Sequence, residues 1–376
     1  MGRQEEIVKE RIKKISELRK DGINPYISKY YFDNVSSELQ KHYKNLKNGE
    51  KSKGKVKVAG RLTIIRDMGK IAFASLLDSQ GKIQIVLQEK ETPEKTRHFF
   101  KKYLDEGDFV GVDGTILRTK RGELSILVKD IKLLTKSILP LPEKWHGLQD
   151  NEERLRKRYL DILMNPEIKE MFIKKSKFWQ TIRNFLLSHE FLEVETPVLE
   201  NSAGGASANP FKTHHNALDI DIYLRISMGE LWQKKLMVSG YSKTFEIGRQ
   251  FRNEGMDAEH LQDYTQMEFY WAYANYEDGM KLVEELYKTV AKEVFGKTKF
   301  KVNEHEFDLG KPWKKIDYAE TVKKETGIDI FKSDNAEIEE KLSALKQEFI
   351  PGSPKARLID AIWKYCRKKI SGPVFL

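Results

Sequence analysis

A short stretch of the chain carries residue types that suit phosphate chemistry: FRNEGMDAEH, at 251–260, places an arginine and a glutamate two positions apart. The guanidinium of Arg252 fits a phosphate or a carboxylate in bidentate geometry. Glu254 can accept a hydrogen bond from an exocyclic amine such as that of adenine. His260 and Tyr264 follow at positions that suit closure over a base or a phosphate tail. The pattern indicates a nucleotide-binding site or, in the simpler alternative, the charged turn of a solvated β-hairpin.

Two alternating segments must position these residues, KTFEIGRQFR at 243–252 and TQMEFYWAY at 265–273. Successive side chains of a strand point to opposite faces, so each segment predicts one apolar and one polar face. The apolar faces hold Phe245, Ile247, Phe251, Met267, Phe269 and Trp271, and the polar faces hold Glu246, Gly248, Gln250, Arg252, Gln266, Glu268, Tyr270 and Ala272. Glu268 and Tyr270 could neutralise a substrate ammonium in a partly dry pocket. Several polar residues on one face beside a long loop favour a site over scattered surface charges.

The composition is that of a soluble globular protein rather than a disordered chain, since 39% of the 376 residues are hydrophobic and 33% are charged. The net charge of +10 suits a partner with many phosphates. No apolar run approaches the roughly 18 residues of a membrane span, and the charged N-terminus lacks the hydrophobic core of a signal peptide. We therefore expect a cytoplasmic protein without a membrane partner. The single cysteine, Cys366, lies at helical spacing with Ile359, Ile362 and Trp363, which predicts a packed helix.

The N-terminal part of the chain predicts a helix, a linker and a small barrel. Val8, Ile12, Ile15 and Leu18 recur at helical spacing among basic residues. This pattern indicates an amphipathic helix that either docks on the body or contacts RNA. After a polar linker at 47–55, five alternating segments suit a closed OB-type barrel, a fold that often binds single-stranded nucleic acid. The five segments are VKVAGRLTII, IAFASLLD, GKIQIVLQ, DFVGVDGTILRT and ELSILVKDIKLL, and a helix at 92–104 separates the third from the fourth.

The second part of the chain mixes helices and strands without a repeated strand–helix–strand unit, which argues for an α+β domain. A proline-marked hinge at 139–148 precedes it. The Asn-Pro-Glu sequence at 165–167 predicts a helix start, and FLEVETPVLE, at 191–200, predicts a strand. A strand-rich region at 211–275 is followed by a helix that ends at Gly296.

Several of these segments resemble motifs of a known family. FEIGRQFRNEG followed by TQMEFYWAY closely resembles motif 2 of class II aminoacyl-tRNA synthetases. FLEVETPVLENSAGGASANPFKTHHNALDIDIYLRIS is similar to the motif 1 region of the lysyl-tRNA synthetase family, and RDMGKIAF, GKIQI and RTKRGELSI resemble parts of its anticodon-binding domain. The resemblance implies an α+β chain, with an N-terminal OB-type five-stranded β-barrel followed by a class II antiparallel-sheet catalytic domain. The expected boundaries are a basic helical extension at 1–52, the barrel at 53–138, a hinge at 139–150 and an incomplete catalytic domain at 151–376.

The resemblance implies a role at each matching position. The positions for ATP are Arg252, Glu254, His260 and Tyr264. The positions for lysine are Gly205, Glu230, Arg252, Glu268 and Tyr270, and those for the anticodon are Arg66, Phe73, Gln84 and Glu123. Arg252 is the implied catalytic residue, which would hold the α-phosphate of ATP while the lysine carboxylate attacks, before transfer to the 3′ end of tRNA(Lys). The family also implies Mg²⁺ and a homodimer formed through the motif 1 region.

The chain departs from the family pattern at three places. Glu259 stands where a phosphate-binding arginine is common, and Glu230 is reached through ISMGEL, one residue longer than the usual spacing. After residue 320 nothing resembles the glycine-rich motif 3 or the acidic magnesium ligands before it. We therefore expect a fragment that is inactive alone, with the metal ligands and a second ATP-binding arginine in a missing C-terminal part. His214 and His215 predict no metal pair, because adjacent strand residues face opposite ways.

Two alternative functions stay open on these grounds. A relative of the aspartyl- and asparaginyl-tRNA synthetases would share the architecture, although Glu268 and Tyr270 oppose it because those substrates call for a cationic side-chain pocket. A tRNA-binding protein without catalysis would share the barrel and the basic charge. A measurement of which amino acid, if any, the protein activates would distinguish the three interpretations.

Overall fold

The computed structural model describes residues 2–142, 150–257 and 260–376, and the chain forms two compact units that divide after Met164. Residues 143–149 of the predicted hinge lie outside the described residues. The elements of the first unit are α1 (Arg3–Lys20), α2 (Ser36–His42), β1 (Lys51–Asp67), β2 (Ile71–Leu77), β3 (Lys82–Gln88), α3 (Glu94–Tyr103), β4 (Phe109–Arg118), β5 (Leu124–Thr135), α4 (Asn151–Arg156) and α5 (Arg158–Met164).

The first unit is built around a closed barrel with the strand order β1-β2-β3-β5-β4. Buried and half-buried residues alternate strictly along β2, which places one set of side chains inside the barrel and the other outside. The five strands and the helix α3 between the third and fourth confirm the predicted OB-type arrangement. The predicted linker at 47–55 is partly wrong, because β1 already begins at Lys51, where it pairs with Leu117 of β4. A partner strand thus overrides a locally polar sequence.

The N-terminal helix α1 packs on the barrel. Ile15 and Leu18 are buried, as the helical spacing indicates, whereas Ile12 from the same predicted stripe is exposed. Arg11 is buried instead, and its guanidinium donates to three backbone carbonyls of the unit. These acceptors are Glu106 O at 2.9 Å, Leu139 O at 3.1 Å and Ser137 O at 3.3 Å. A buried arginine is tolerated here because carbonyl oxygens satisfy it. This contact supports the docking interpretation, and an RNA contact by the outer face of α1 stays a prediction.

The second unit combines small sheets with helices, which confirms the α+β class. Its elements are α6 (Pro166–Ser188), β6 (Leu192–Glu193), β7 (Leu199–Glu200), β8 (Lys212–His215), β9 (Ile220–Leu224), α7 (Glu230–Val238), β10 (Lys243–Phe251), β11 (Asp263–Trp271), α8 (Tyr276–Phe295), β12 (Lys299–Val302), β13 (His305–Asp308), β14 (Lys314–Lys315), α9 (Tyr318–Thr326), α10 (Asn335–Ala344), α11 (Lys355–Arg367) and β15 (Val374–Phe375). Two three-stranded sheets have the orders β11-β10-β6 and β7-β9-β8.

The main core of this unit lies between α6, α8 and the β10–β11 hairpin. Phe245 of β10 is fully buried and clusters with Phe185 and Leu186 of α6 and Leu286 of α8. Helix α8 begins with a capping box between Asn275 and Asp278, and it ends at the predicted glycine in a left-handed conformation. The hairpin is therefore fixed from its apolar side, which leaves its other side free to carry polar groups.

Two local predictions need correction. FLEVETPVLE forms two short strands rather than one, β6 pairing with β10 and β7 pairing with β9. The break falls where Thr196 bonds to the Glu246 carboxylate and where Pro197 has no N–H to donate. The strand-rich region at 211–275 also contains a helix, α7, which begins after Gly229 in a left-handed conformation.

The C-terminal helices α9, α10 and α11 enclose a small core of their own. Cys366 is fully buried on α11, in the helix that its spacing with apolar residues predicts. Burial raises the pKa of this thiol above its ordinary value, which keeps it protonated. Among the described residues, no helix combines the length and the apolar character needed to cross a bilayer.

Candidate functional site

The β10–β11 hairpin carries a continuous polar face. Its register places four polar pairs side by side along that face. These pairs are Thr244 with Tyr270, Glu246 with Glu268, Gly248 with Gln266, and Gln250 with Tyr264. The opposite face pairs Phe245 with Phe269 and Ile247 with Met267, all within the core between the helices. The two faces that alternation predicts are thus confirmed. On the polar face, Thr244, Glu246 and Gln250 of β10 are buried, whereas the four β11 residues are half-buried and accessible in part.

A short segment, residues 225–229, runs beside this polar face and touches it at several points. The Arg225 carbonyl accepts from Phe251 N at 3.1 Å. The next carbonyl, of Ile226, accepts from Arg252 Nε at 3.3 Å. Met228 N lies 3.4 Å from the Glu268 carboxylate, to which it donates. The segment therefore bonds to Arg252, just beyond the end of β10, and to Glu268 of β11.

Glu268 and Tyr270 form the acidic and phenolic part of the face. Glu268 is half-buried, and one of its oxygens accepts from Gln266 Nε2 at 2.7 Å. Burial raises the pKa of the Tyr270 phenol, and the Glu230 carboxylate raises it further. The ammonium of Lys234 opposes this effect, and Glu268 adds to it. Tyr270 therefore stays a protonated hydrogen-bond donor at neutral pH.

Gly205 and Glu230 come together beside the same face. Gly205 has a φ of +87°, and a Cβ there would lie 2.1 Å from the Ser227 hydroxyl and 3.0 Å from the Glu230 Cβ. Only glycine allows this approach, which leaves the Gly205 backbone close to the Glu230 carboxylate. Glu230 is the first residue of α7 and pairs with Lys234 at 2.5 Å. Gly229, just before it, has a left-handed conformation, and the Glu230 carboxylate lies close enough to affect the Tyr270 phenol.

Arg252 and Glu254 lie where β10 enters the loop. The Arg252 guanidinium is half-buried and lies 5.6 Å from the centre of the Tyr264 ring. Arg252 N donates to Gln262 O at 2.8 Å, which closes the base of the loop. The Glu254 carboxylate accepts from Asn209 N at 3.2 Å. A cation, an aromatic ring and a carboxylate are thus grouped at one end of the polar face.

The structure does not bring His260 into this group. Its ring nitrogen Nδ1 lies 2.8 Å from the Asp257 carboxylate, and its side chain is largely exposed in the loop. The neighbouring Glu259, predicted to reverse a local charge, lies outside the described residues. The role of His260 at a phosphate tail stays a prediction.

A second candidate surface lies on the outside of the barrel. Arg66 pairs with Phe73 across β1 and β2, and Gln84 pairs with Ser75 on β2 and with Ser125 on β5. Phe73 is half-buried between two buried alanines of β2, so its ring belongs to the outer set of side chains. The predicted anticodon residues therefore share one outer surface. Glu123 adjoins it in the turn before β5, where its carbonyl accepts from the Ser125 hydroxyl at 3.3 Å.

The described part of the chain holds no group of three or more His, Cys, Asp or Glu side chains that could bind a metal ion. A Mg²⁺ ion held by substrate phosphates and one or two carboxylates would need no such group.

Each of the two surfaces lies in a part of the chain that matches a known protein family. The profile of the family described as tRNA synthetases class II (D, K and N) matches residues 150–351, which include the whole polar face. The chain belongs to the class II tRNA synthetases. A second profile, described as an OB-fold nucleic acid binding domain, matches residues 56–134 of the synthetase, within the barrel.

The synthetase is similar to curated relatives over almost its whole length. It is 45% identical to the lysine–tRNA ligase of Thermoanaerobacter sp. (strain X514) over 362 residues, which are 95% of this chain and 71% of the relative. It is 39% identical to the lysine–tRNA ligase of Thermosipho africanus (strain TCF52B) over 374 residues, which are 99% of this chain and 74% of that protein. The corresponding protein of Fervidobacterium nodosum is 40% identical over 97% of this chain and 71% of its own length.

Sequence reasoning missed one part of the synthetase's site. The segment 225–229 and the buried contacts of Arg225 carry no local motif, because their partners lie about twenty or more residues away along the chain. One residue did indicate such a contact. Glu246 is charged, yet its neighbours in the strand pack in the core, so a buried partner could be expected for it.

Proposed function

We propose that the synthetase is a lysine–tRNA ligase. In the first step, an oxygen of the lysine carboxylate bonds to the α-phosphorus of ATP while the bond to pyrophosphate breaks, which gives lysyl-adenylate. In the second step, the lysyl group passes to the 3′ end of tRNA(Lys), and AMP leaves. The observation that carries this proposal is the grouping of Glu230, Glu268 and Tyr270 around one part of the polar face.

The amino-acid pocket is acidic, which suits a substrate with two ammonium groups. Glu230 and the backbone of Gly205 would receive the α-ammonium, and Glu268 with Tyr270 would receive the ammonium of the side chain. A carboxylate in a half-buried pocket interacts more strongly with a cation than it does in bulk water. The relatives named lysine–tRNA ligase support this choice of substrate.

The nucleotide would lie at the other end of the face. Arg252 can hold the α-phosphate and the lysine carboxylate together with one planar guanidinium, which brings the reacting atoms into line. Tyr264 can stack on adenine, and Glu254 can accept from its amine. No side-chain nucleophile is needed, because placement and stabilisation of the developing charge drive the reaction. ATP use is a property of the family, and Mg²⁺ is the expected cofactor.

The barrel supplies the partner site for tRNA(Lys). An aromatic ring at Phe73 can stack on an unpaired anticodon base, while Arg66, Gln84 and Glu123 can read its edge. The basic charge of the chain favours this partner. We place the reaction in the cytoplasm, where translation consumes the product.

A pyrophosphate-exchange assay tests the substrate. With the full-length gene product, ATP–pyrophosphate exchange should depend on lysine and stay near background with aspartate or asparagine, because the pocket offers carboxylates rather than cations. Exchange driven by aspartate or asparagine would assign the protein to one of those relatives. Tight tRNA binding without any amino-acid-dependent exchange would instead favour the non-catalytic alternative.

We also propose that the synthetase is a homodimer formed through the motif 1 region. Met171, Phe172 and Ile173 of α6 are exposed apolar residues, as are Leu192 and Leu199 of the following strands. A cleft of about 560 Å³ adjoins Met171, and its lining combines Phe178 and Phe295 with Glu167, Glu170, Lys174 and Lys175. Exposed apolar side chains suit an association surface when they form one patch.

A single charge should separate the proposed protomers. Ile173→Asp should shift the sedimentation coefficient from dimer to monomer at micromolar concentration, because a carboxylate at an apolar interface is desolvated without a partner. Ile350→Asp is the matched control, since Ile350 is exposed by 69% against 51% for Ile173 but lies in another part of the unit. The proposal fails if the unmodified protein already sediments as a monomer, or if both variants dissociate alike.

A further inference from the structure

A buried ion pair lies beneath the amino-acid pocket. The side chains of Arg225 and Glu246 are exposed by only 3% and 4%, and Arg225 Nη1 lies 2.5 Å from Glu246 Oε1. Arg225 also donates to Thr196 O and Oγ1, each at 3.2 Å, and to Arg249 O at 3.0 Å. The second oxygen of Glu246 accepts from Thr196 N at 3.2 Å and from its hydroxyl at 2.6 Å. The bonds from Arg225 Nε and Nη1, and those to both Glu246 oxygens, offset the cost of burying two charges.

The backbone around this pair is shaped to admit it. A Cβ on Gly248 would lie 2.4 Å from Arg225 Nη2, so β10 carries no side chain where the guanidinium passes. A Cβ on Gly229 would lie 2.4 Å from Thr196 Oγ1, which fixes the other end of the 225–229 segment. At Gly229 the positive φ of +52° also favours glycine, and at Gly248 a larger residue would displace the end of the Arg225 side chain. Both glycines thus fit the observed position of the pair.

The segment that Arg225 anchors reaches the site at consecutive residues. The Ile226 carbonyl accepts a hydrogen bond from Arg252 Nε, and the Met228 N–H donates one to the Glu268 carboxylate. The hydroxyl of Ser227 donates to Gly204 O at 3.0 Å, beside the glycine that approaches Glu230. The buried Arg225 side chain thus sets the position of the backbone groups that bond to the Arg252 guanidinium and to the Glu268 carboxylate.

The pair also reduces the repulsion between two neighbouring carboxylates, those of Glu246 and Glu268. Glu246 lies directly opposite Glu268 in the β10–β11 register, on the same polar face. Like charges at opposite positions of two paired strands repel one another. Because Arg225 neutralises Glu246, the negative charge of Glu268 stays available for a substrate ammonium.

We propose that Arg225, through its pair with Glu246, is a positioning residue for amino-acid activation. It contacts neither lysine nor ATP, yet it fixes the 225–229 segment and thereby the geometry of Arg252 and Glu268. This inference rests on the proposed function, since it concerns the affinity of the same pocket for lysine.

Four variants of the full-length gene product test the proposal in lysine-dependent pyrophosphate exchange, with thermal unfolding measured in parallel. Arg225→Met should raise the KM for lysine by about tenfold and lower kcat, because small displacements of positioned groups are costly. Arg225→Lys should recover part of that loss, since it keeps the charge but not the fork. The double variant Arg225→Met with Glu246→Met removes both buried charges, so it should regain stability but keep the raised KM.

The fourth variant, Arg183→Met, is the matched control. Arg183 donates from Nε to both carboxylate oxygens of Glu193, at 3.0 and 2.9 Å, in the same unit but outside the site. It should lower the melting temperature at most and leave the KM for lysine unchanged. The inference is overturned if the double variant returns the KM for lysine to within about twofold of the unmodified protein. Exchange that never depends on lysine, even in the unmodified protein, would instead refute the proposed function.

Discussion

Replacing Arg252 by alanine should lower kcat/KM for amino-acid activation by about a thousandfold, because the variant loses the donor that stabilises charge developing on the α-phosphate. The guanidinium lies half-buried near Tyr264, at the end of a face fixed by the core behind it. Its placement therefore costs little reorganisation when the substrates bind. Lysine-dependent pyrophosphate exchange measures the loss. Arg252→Lys should recover only a small part, since a point charge cannot bridge two oxyanions in a fork.

The same strand provides a matched control for this prediction. Arg249 lies three residues earlier, on the opposite face, where its side chain bonds to Thr265 and Asp263. Arg249→Ala removes the same kind of cation and leaves intact the carbonyl that Arg225 uses. It should keep kcat/KM within about threefold of the unmodified protein. Equal losses in the two variants would mean that Arg252 acts through the stability of the strand rather than through the phosphate.

The second large effect is expected on the barrel. Phe73→Ala should raise the dissociation constant for tRNA(Lys) by about 5- to 150-fold, because stacking of one base on an aromatic ring contributes about 1–3 kcal/mol. Phe73 belongs to the outer side-chain set of β2 and pairs with Arg66 on the neighbouring strand. Filter binding at fixed salt measures the change, and exchange in the absence of tRNA should be unaffected.

Phe109→Ala is the control for the RNA prediction. Phe109 is another aromatic residue of the barrel that solvent reaches, but it lies on β4 and packs against the Arg61 guanidinium at 4.3 Å. Its replacement should leave tRNA affinity nearly unchanged. If Phe73→Ala binds tRNA(Lys) as tightly as the unmodified protein does, the outer surface of β1, β2 and β3 is not the anticodon site.

The parts of the fold that follow from local alternation could be predicted from the sequence. Phe245 and Glu246 are neighbours in the chain, yet one lies in the core and the other on the polar face, as the period of two requires. The barrel strands follow from the same rule. Residue types alone also selected Arg252, Glu254, Glu268 and Tyr270, which the structure places along one face or at its end.

The parts that depend on distant partners could not be predicted. Arg225 reads as one more basic residue at the end of a strand, and only the fold brings it to Glu246 and Thr196. Ile12 fits the apolar stripe of α1, but Arg11 is buried because carbonyls of another part of the unit satisfy it. The strand β1 begins at Lys51 because β4 supplies hydrogen bonds there, which no local preference of a polar segment reveals.

The β10–β11 hairpin restricts how this protein can change in length. Its nine residue pairs, from Lys243 with Trp271 to Phe251 with Asp263, follow one another without a bulge. Losing or gaining a single residue within either strand would send every side chain beyond that point to the other face. Carboxylates would then enter the core while phenylalanines entered the pocket. Gaps in alignments of related proteins should therefore fall in the loop at 253–262, where the chain can lengthen without inverting the strands.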